Sequence, residues 1–203
     1  MLFKSTSFKQ IPLNHYSLLM QNILFFGDSL TAGYGLADAG REACPALIQQ
    51  KIDAEGLPYH VINGGLSGDT TGGGLNRLDY WLNRPIAVFV LELGVNDTRR
   101  GISPAKIYQN LDAIVLRVKA KYPEVKLALM GMQLPAYIPG AATVGFNTIY
   151  SKLADAHHMA FLPFYLDGVA GQKHLNIGDG VHPSAAGYRI IADKVWPLIK
   201  PLL

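Results

Sequence analysis

Apolar, β-branched and aromatic residues gather into five short runs, at 22–26, 59–62, 86–91, 126–130 and 159–162. Runs of this length read as buried strands. Between them the apolar period becomes helical. The clearest case is 103–121, where Ser103 is placed to cap and Pro104 suits the first helical position. Its Ile107, Leu111, Ile114, Val115 and Val118 share one face. Leu75, Leu78 and Leu82 mark a shorter helix, 43–54 is helix-like, and Pro183-Ser184 opens a last helix carrying Tyr188, Ile191 and Val195. Strands alternating with helices predict a parallel sheet covered on both faces. Two long connections interrupt the alternation, 131–145 and 163–182, and long loops in such domains usually carry function.

Composition narrows the classes. The chain has 203 residues, 49% hydrophobic and 16% charged, which suits a single domain with a real core. Its net charge of +3 is spread thinly, without the clustered basic face that nucleic acid requires. Cys44 is alone, which excludes an internal disulfide and a thiolate zinc site, and a packed thiol is the expectation. No apolar run reaches the length of a membrane span, so stable membrane insertion is not expected. Lys4, Lys9, Gln10, Pro12, Asn14 and His15 break any signal-peptide core, and the expected compartment is the cytoplasm. Residues 1–19 show no clean period. They read as an extension outside the catalytic fold, which is expected to occupy 20–203 and to begin at Met20.

Three polar clusters stand at element edges. Gly27-Asp28-Ser29-Leu30 follows the first strand, Gly94-Val95-Asn96-Asp97 follows the third, and Asp179-Gly180-Val181-His182-Pro183 precedes the last helix. Singly, each has a plain structural explanation: a helix cap, a turn former, an acid beside a histidine. Together they supply a nucleophile, a base, an acid to orient it and an amide for an oxyanion. A phosphate-binding loop built on Ser29 and Thr31 would leave Asp179 and His182 without a role. Asn63-Gly64-Gly65-Leu66-Ser67-Gly68-Asp69-Thr70-Thr71 follows the second strand; its glycines can aim a backbone amide into a cleft, and Asp69 or Thr70 can cap the next helix. The histidines His15, His60, His157, His158 and His174 have no ligand partners at metal spacing, and Arg99-Arg100 reads as a solvated or structural loop.

These phrases, in this order, make the chain resemble the SGNH (GDSL) hydrolases, nearest the thioesterase–protease–lysophospholipase and arylesterase subgroup. The resemblance implies a flavodoxin-like α/β/α sandwich with a five-stranded parallel sheet in the order 2-1-3-4-5. It implies Ser29 as nucleophile, His182 as base and Asp179 behind it. The oxyanion donors would be the backbone amides of Ser29 and Gly68 and the side chain of Asn96. Asp28 is expected at the edge of the substrate site. Met132, Leu134, Pro135 and Tyr137 either line an acyl groove or simply pack their loop. The implied substrate is a small-molecule carboxylic ester of short to medium acyl length, with thioesters and lysophospholipids as further candidates. No metal or organic cofactor is expected. A carbohydrate O-acetyl esterase would use the same residues, and a flavodoxin-like binding protein without catalysis is the rival of another class.

Overall fold

The apolar run of β1 (Gln21–Gly27) takes the centre of the fold, hydrogen-bonded in parallel to β2 (Tyr59–Gly65) on one side and β3 (Val88–Glu92) on the other. β4 (Lys126–Met130) and β5 (Ala160–Leu162) continue outward from β3, all parallel, giving the order β2-β1-β3-β4-β5. This computed structural model describes residues 20–134 and 140–203. The expected extension at 1–19 and the expected groove residues Pro135 and Tyr137 lie outside the described residues.

Eight helices connect the described strands: α1 (Ser29–Ala32), α2 (Ala39–Glu42), α3 (Cys44–Ala54), α4 (Thr71–Trp81), α5 (Val95–Arg99), α6 (Pro104–Lys121), α7 (Ala141–His157) and α8 (Ala185–Ile199). α3 packs on α8, while α6 packs on both α4 and α7. The five apolar residues expected on one face of α6 are all fully buried. Ser103 caps that helix through Lys106 N, and Thr70 caps α4 through Gly73 N. All five residues 88–92 of β3 are buried, as a strand covered on both faces requires. Cys44 is fully buried, and burial pushes its thiol up to about 12, the behaviour of a packed rather than a reactive cysteine.

Two expectations need adjustment. The connection expected at 131–145 is shorter, because α7 begins at Ala141. Small residues in its first turn dilute the apolar stripe that Phe146, Ile149, Tyr150 and Leu153 carry further on. Second, Asn96 and Asp97 stand inside a short helix rather than in a bare turn. Among the described residues, no helix is long and apolar enough to cross a membrane.

At its carboxyl end the sheet runs directly into α1. Gly65, the last residue of β2, lies against the Ala32 backbone of α1, and a Cβ there would collide with the Ala32 nitrogen and Cα. Backbone cannot move aside as a flexible side chain can. Gly65→Ala is therefore expected to cost about 3 kcal/mol or more, the upper end for overpacking, and to displace the turn that carries Ser29. Thermal melting and ester hydrolysis should fall together. An unchanged melting temperature would contradict this packing.

Candidate active site

Ser29 owes its position to the way β1 ends. Asp28 leaves the strand and its Oδ1 accepts from Leu30 N at 3.0 Å, capping the four-residue α1. Gly33 then takes a left-handed conformation, φ 79°, and returns its N–H to Ser29 O at 3.0 Å. Tyr188 Oη donates to Leu30 O from α8 at 2.8 Å and ties the turn to the domain. Ser29 is thereby fixed as the first residue of α1, with 8% of its surface exposed and its side chain in a cleft.

His182 comes from the far end of the chain, 153 residues later, and its Nε2 lies 2.9 Å from Ser29 Oγ. Its Nδ1 lies 2.6 Å from Asp179 Oδ2. An ionised carboxylate only accepts, so Nδ1 carries the proton and Nε2 is left to accept from the serine hydroxyl. The Asp179–His182 turn holds itself: Asp179 Oδ1 accepts from Val181 N at 2.9 Å and His182 N at 3.0 Å. The backbone amides of His182 and Val181, followed by the His182 ring, lower the Asp179 carboxyl to about 2. The loop is tied down on both sides. Ile177 N donates to His182 O at 2.8 Å, and Asn176 Nδ2 donates to Val169 O and Gln172 O, each at 2.8 Å.

Asn96 and Gly68 line the same cleft as Ser29, beyond the ends of the two neighbouring strands. Asn96 Nδ2 donates to Asp28 Oδ2 and to Asp69 O, each at 2.9 Å. Both amide hydrogens are thus held by protein acceptors. Gly68 has φ 78°, the left-handed region that glycine enters without strain, and its carbonyl accepts from Arg100 Nη2 at 3.0 Å. Next to Asn96, Asp97 is fully buried and accepts from Thr71 N at 2.9 Å and Thr71 Oγ1 at 2.5 Å, docking α5 on the start of α4.

The cleft has a volume of about 1140 Å³. Ser29, Gly68, Asn96, Asp179 and His182 all line it, as do the expected Met132 and Leu134. Asn147 fixes Leu134 by accepting from its N–H at 2.8 Å and donating to its carbonyl at 3.2 Å. Asp28 departs from expectation: it is fully buried and faces Leu30 and Asn96 rather than substrate, because capping α1 turns its carboxylate inward.

Several lining residues escaped the sequence reading. Tyr34 sets its ring 4.8 Å from the His182 ring, and Phe164 and Leu166 add an apolar wall from the loop after β5. For Phe164 and Leu166, the position in the connection 163–182 is the available signal. Arg99, read as part of a solvated loop, is exposed and also lines the cleft.

Beneath the site lies a second carboxyl. Glu92, the last residue of β3, is 2% exposed and accepts from Thr31 Oγ1 at 2.8 Å and Asp28 N at 3.3 Å. Its Oε1 is buried without a hydrogen-bond partner. Burial, reinforced by the Asp28 charge, pushes Glu92 well above the ordinary carboxylate range, and burial raises Asp28 to about 6. The raised range favours the protonated, uncharged form of Glu92, which leaves one charge rather than two on this buried pair. Gly27 makes room for the Glu92 carboxyl, since a Cβ there would stand 2.6 Å from Glu92 Oε2. Among the described residues, no group of three or more His, Cys, Asp or Glu is arranged to hold a metal ion.

Comparison with known proteins agrees with this architecture. The model of the GDSL-like lipase/acylhydrolase family matches residues 25–190. Esterase TesA of Pseudomonas aeruginosa is 38% identical over 185 residues, covering 90% of each chain. Thioesterase 1/protease 1/lysophospholipase L1 of Escherichia coli (strain K12) is 36% identical over 182 residues, covering 89% of this chain and 84% of that one. A crystal structure of TesA superposes with a TM-score of 0.82 at 38% identity, covering 90% of this chain and 100% of that chain. A serine bonded to a histidine at the carboxyl end of a 2-1-3-4-5 sheet, inside a matching family model, settles the class: the chain belongs to the GDSL-like lipase/acylhydrolase family, the SGNH hydrolases, and is a carboxylic ester hydrolase.

Proposed function

We propose that the chain hydrolyses short- to medium-chain carboxylic esters through an acyl-enzyme on Ser29. The observation that carries this is the continuous bond sequence from Ser29 Oγ to His182 Nε2, and from His182 Nδ1 to Asp179, at 2.9 and 2.6 Å inside the cleft. A binding protein without catalysis has no use for such a chain. Ser29 Oγ attacks the ester carbonyl while His182 takes its proton, and the imidazolium is stabilised by Asp179. The tetrahedral oxyanion is received by the Ser29 and Gly68 backbone amides and by Asn96, which gives up one of its two acceptors to meet it. The alcohol leaves with the proton from His182. Water, deprotonated by His182, then attacks the acyl-enzyme, and the acid leaves as Ser29 recovers its proton.

The acyl chain lies along Met132, Leu134, Phe164 and Leu166, and the catalytic unit is 20–203. The Escherichia coli relative is named a thioesterase and lysophospholipase, which makes acyl thioesters and lysophospholipids the next substrates to try. With p-nitrophenyl esters of graded acyl length, kcat/KM should climb by up to about fourfold per methylene, the equivalent of roughly 0.8 kcal/mol, and then flatten. Ser29→Ala and His182→Ala should each abolish nearly all turnover, and the double variant should lose little more. Full activity in Ser29→Ala would remove the serine mechanism. A steady rise through palmitoyl would remove the medium-chain preference.

Burial that favours the protonated form of Glu92 serves this scheme. Two ionised carboxylates near a developing oxyanion would oppose it, and one proton on the pair leaves a single charge. A carboxyl with a raised folded pKa gives its full stability contribution below its unfolded value, about 4.3, and loses it as pH rises through the folded value. Glu92→Gln carries the uncharged form at every pH. Its melting temperature should therefore fall less than that of the native protein as the pH rises above about 4.3. Parallel melting curves would show that Glu92 does not hold a proton.

A further inference from the structure

Arg77 lies outside the cleft lining, yet its guanidinium reaches three separate parts of the site. Nε donates to Asp69 Oδ2 at 2.6 Å, Nη1 to Gly64 O at 2.8 Å, and Nη2 to Gly27 O at 2.9 Å. Its central carbon sits 4.0 Å above the Phe26 ring centroid. The side chains of Arg77 and Asp69 are only 18% and 6% exposed. A buried ion pair of this kind is weak evidence for net stability, because desolvation offsets the attraction. Its geometry says more than its energy.

The three acceptors share one property. Gly27 O belongs to the residue before Asp28 and Ser29. Gly64 O belongs to the end of β2, four positions before Gly68. Asp69 follows Gly68 directly, and its own carbonyl accepts from Asn96 Nδ2 at 2.9 Å. The ladder between β1 and β2 ends with Gly27 paired to Gly65, where one strand turns into α1 and the other into the Gly68 loop. Leu66 N makes the last backbone bond, to Gly27 O at 3.0 Å. Arg77 extends the connection beyond it and holds both departing segments to one rigid plane.

We propose that Arg77 is a positioning residue for the oxyanion donors, fixing the spacing between the Ser29 turn, the Gly68 loop and the Asn96 amide through Gly27, Gly64 and Asp69. This rests on the reading of Ser29, Gly68 and Asn96 given above. A guanidinium holds its donors in one rigid plane that can stack on a ring while serving three acceptors; an ammonium has three donors but no such plane. The role is distinct from catalysis, since Arg77 acts on the donors rather than on substrate.

The test is a double-variant cycle on the full chain, with p-nitrophenyl butyrate as the substrate. Arg77→Lys should keep KM within about twofold and lower kcat about 30- to 100-fold, because donors misplaced only in the transition state act on kcat. Asn96→Ala should lower kcat by about 10²–10³. Combined, they should lose no more than about threefold beyond the worse single variant, since both act on the same donors. Multiplying losses, or a lowered melting temperature with unchanged kcat, would make Arg77 a fold residue and overturn the proposal. An unchanged kcat in Asn96→Ala alone would instead overturn the oxyanion reading, and this proposal with it. Should Arg77→Lys fail to fold, Asp69→Asn removes the same ion pair at constant volume. It should show the same kcat loss and the same subadditivity. Failure of that variant to fold as well would make the ion pair a folding element and end the proposal.

Discussion

Because the winding of the sheet reverses beside β1, the carboxyl ends of β2, β1 and β3 open side by side, and the cleft depends on that one topological fact. Each strand delivers one piece: β2 leads to Gly68, β1 to Ser29, and β3 to Asn96. None of these residues needs a long excursion to meet the others. The fourth piece, His182, cannot come from a strand end. It is carried in by a loop stapled through Asn176 and Ile177, and the Ser29–His182 bond closes the site.

The cost of this convergence is a concentration of buried polar groups where a sheet would ordinarily be apolar. Asp28, Glu92, Asp97 and Asp69 are buried near the strand ends, Arg77 is partly buried beside them, and each makes at least one hydrogen bond. Asp97 meets the start of α4, Asp69 meets Arg77, and Asp28 meets Asn96 and Leu30. Glu92 meets Thr31 and the Asp28 backbone through one carboxyl oxygen, and burial favours its protonated form. A polar network in a low-dielectric setting rewards full satisfaction and penalises any gap. That makes it stiff, and stiffness is what a preorganised oxyanion site needs.

Much of this was legible in the sequence, and the reasons it stopped are physical. Apolar runs marked all five strands to within a few residues, and one-sided periodicity marked α6 and α8. Residues at element edges stood out because Ser29, Asn96, Asp179 and His182 have side chains whose chemistry is visible in isolation. What remained hidden depends on contacts between distant positions. Nothing local says that Arg77 reaches Gly27, 50 positions away, or that Thr31 meets Glu92 across 61. Asp28, expected at the substrate edge, caps its own helix instead, and a capping carboxylate turns inward. The start of α7 was hidden by glycine and alanine, whose weak hydrophobicity masks a helical face.

The central claim is that Ser29 is the nucleophile and that His182 with Asp179 activates it. Intact-mass and peptide mapping after treatment with an alkyl fluorophosphonate tests this most directly, because the reagent requires an activated serine and marks it covalently. The account predicts one adduct per chain, on the peptide containing Ser29, forming far more slowly in His182→Ala. An adduct on another serine, or equal labelling without His182, would contradict it.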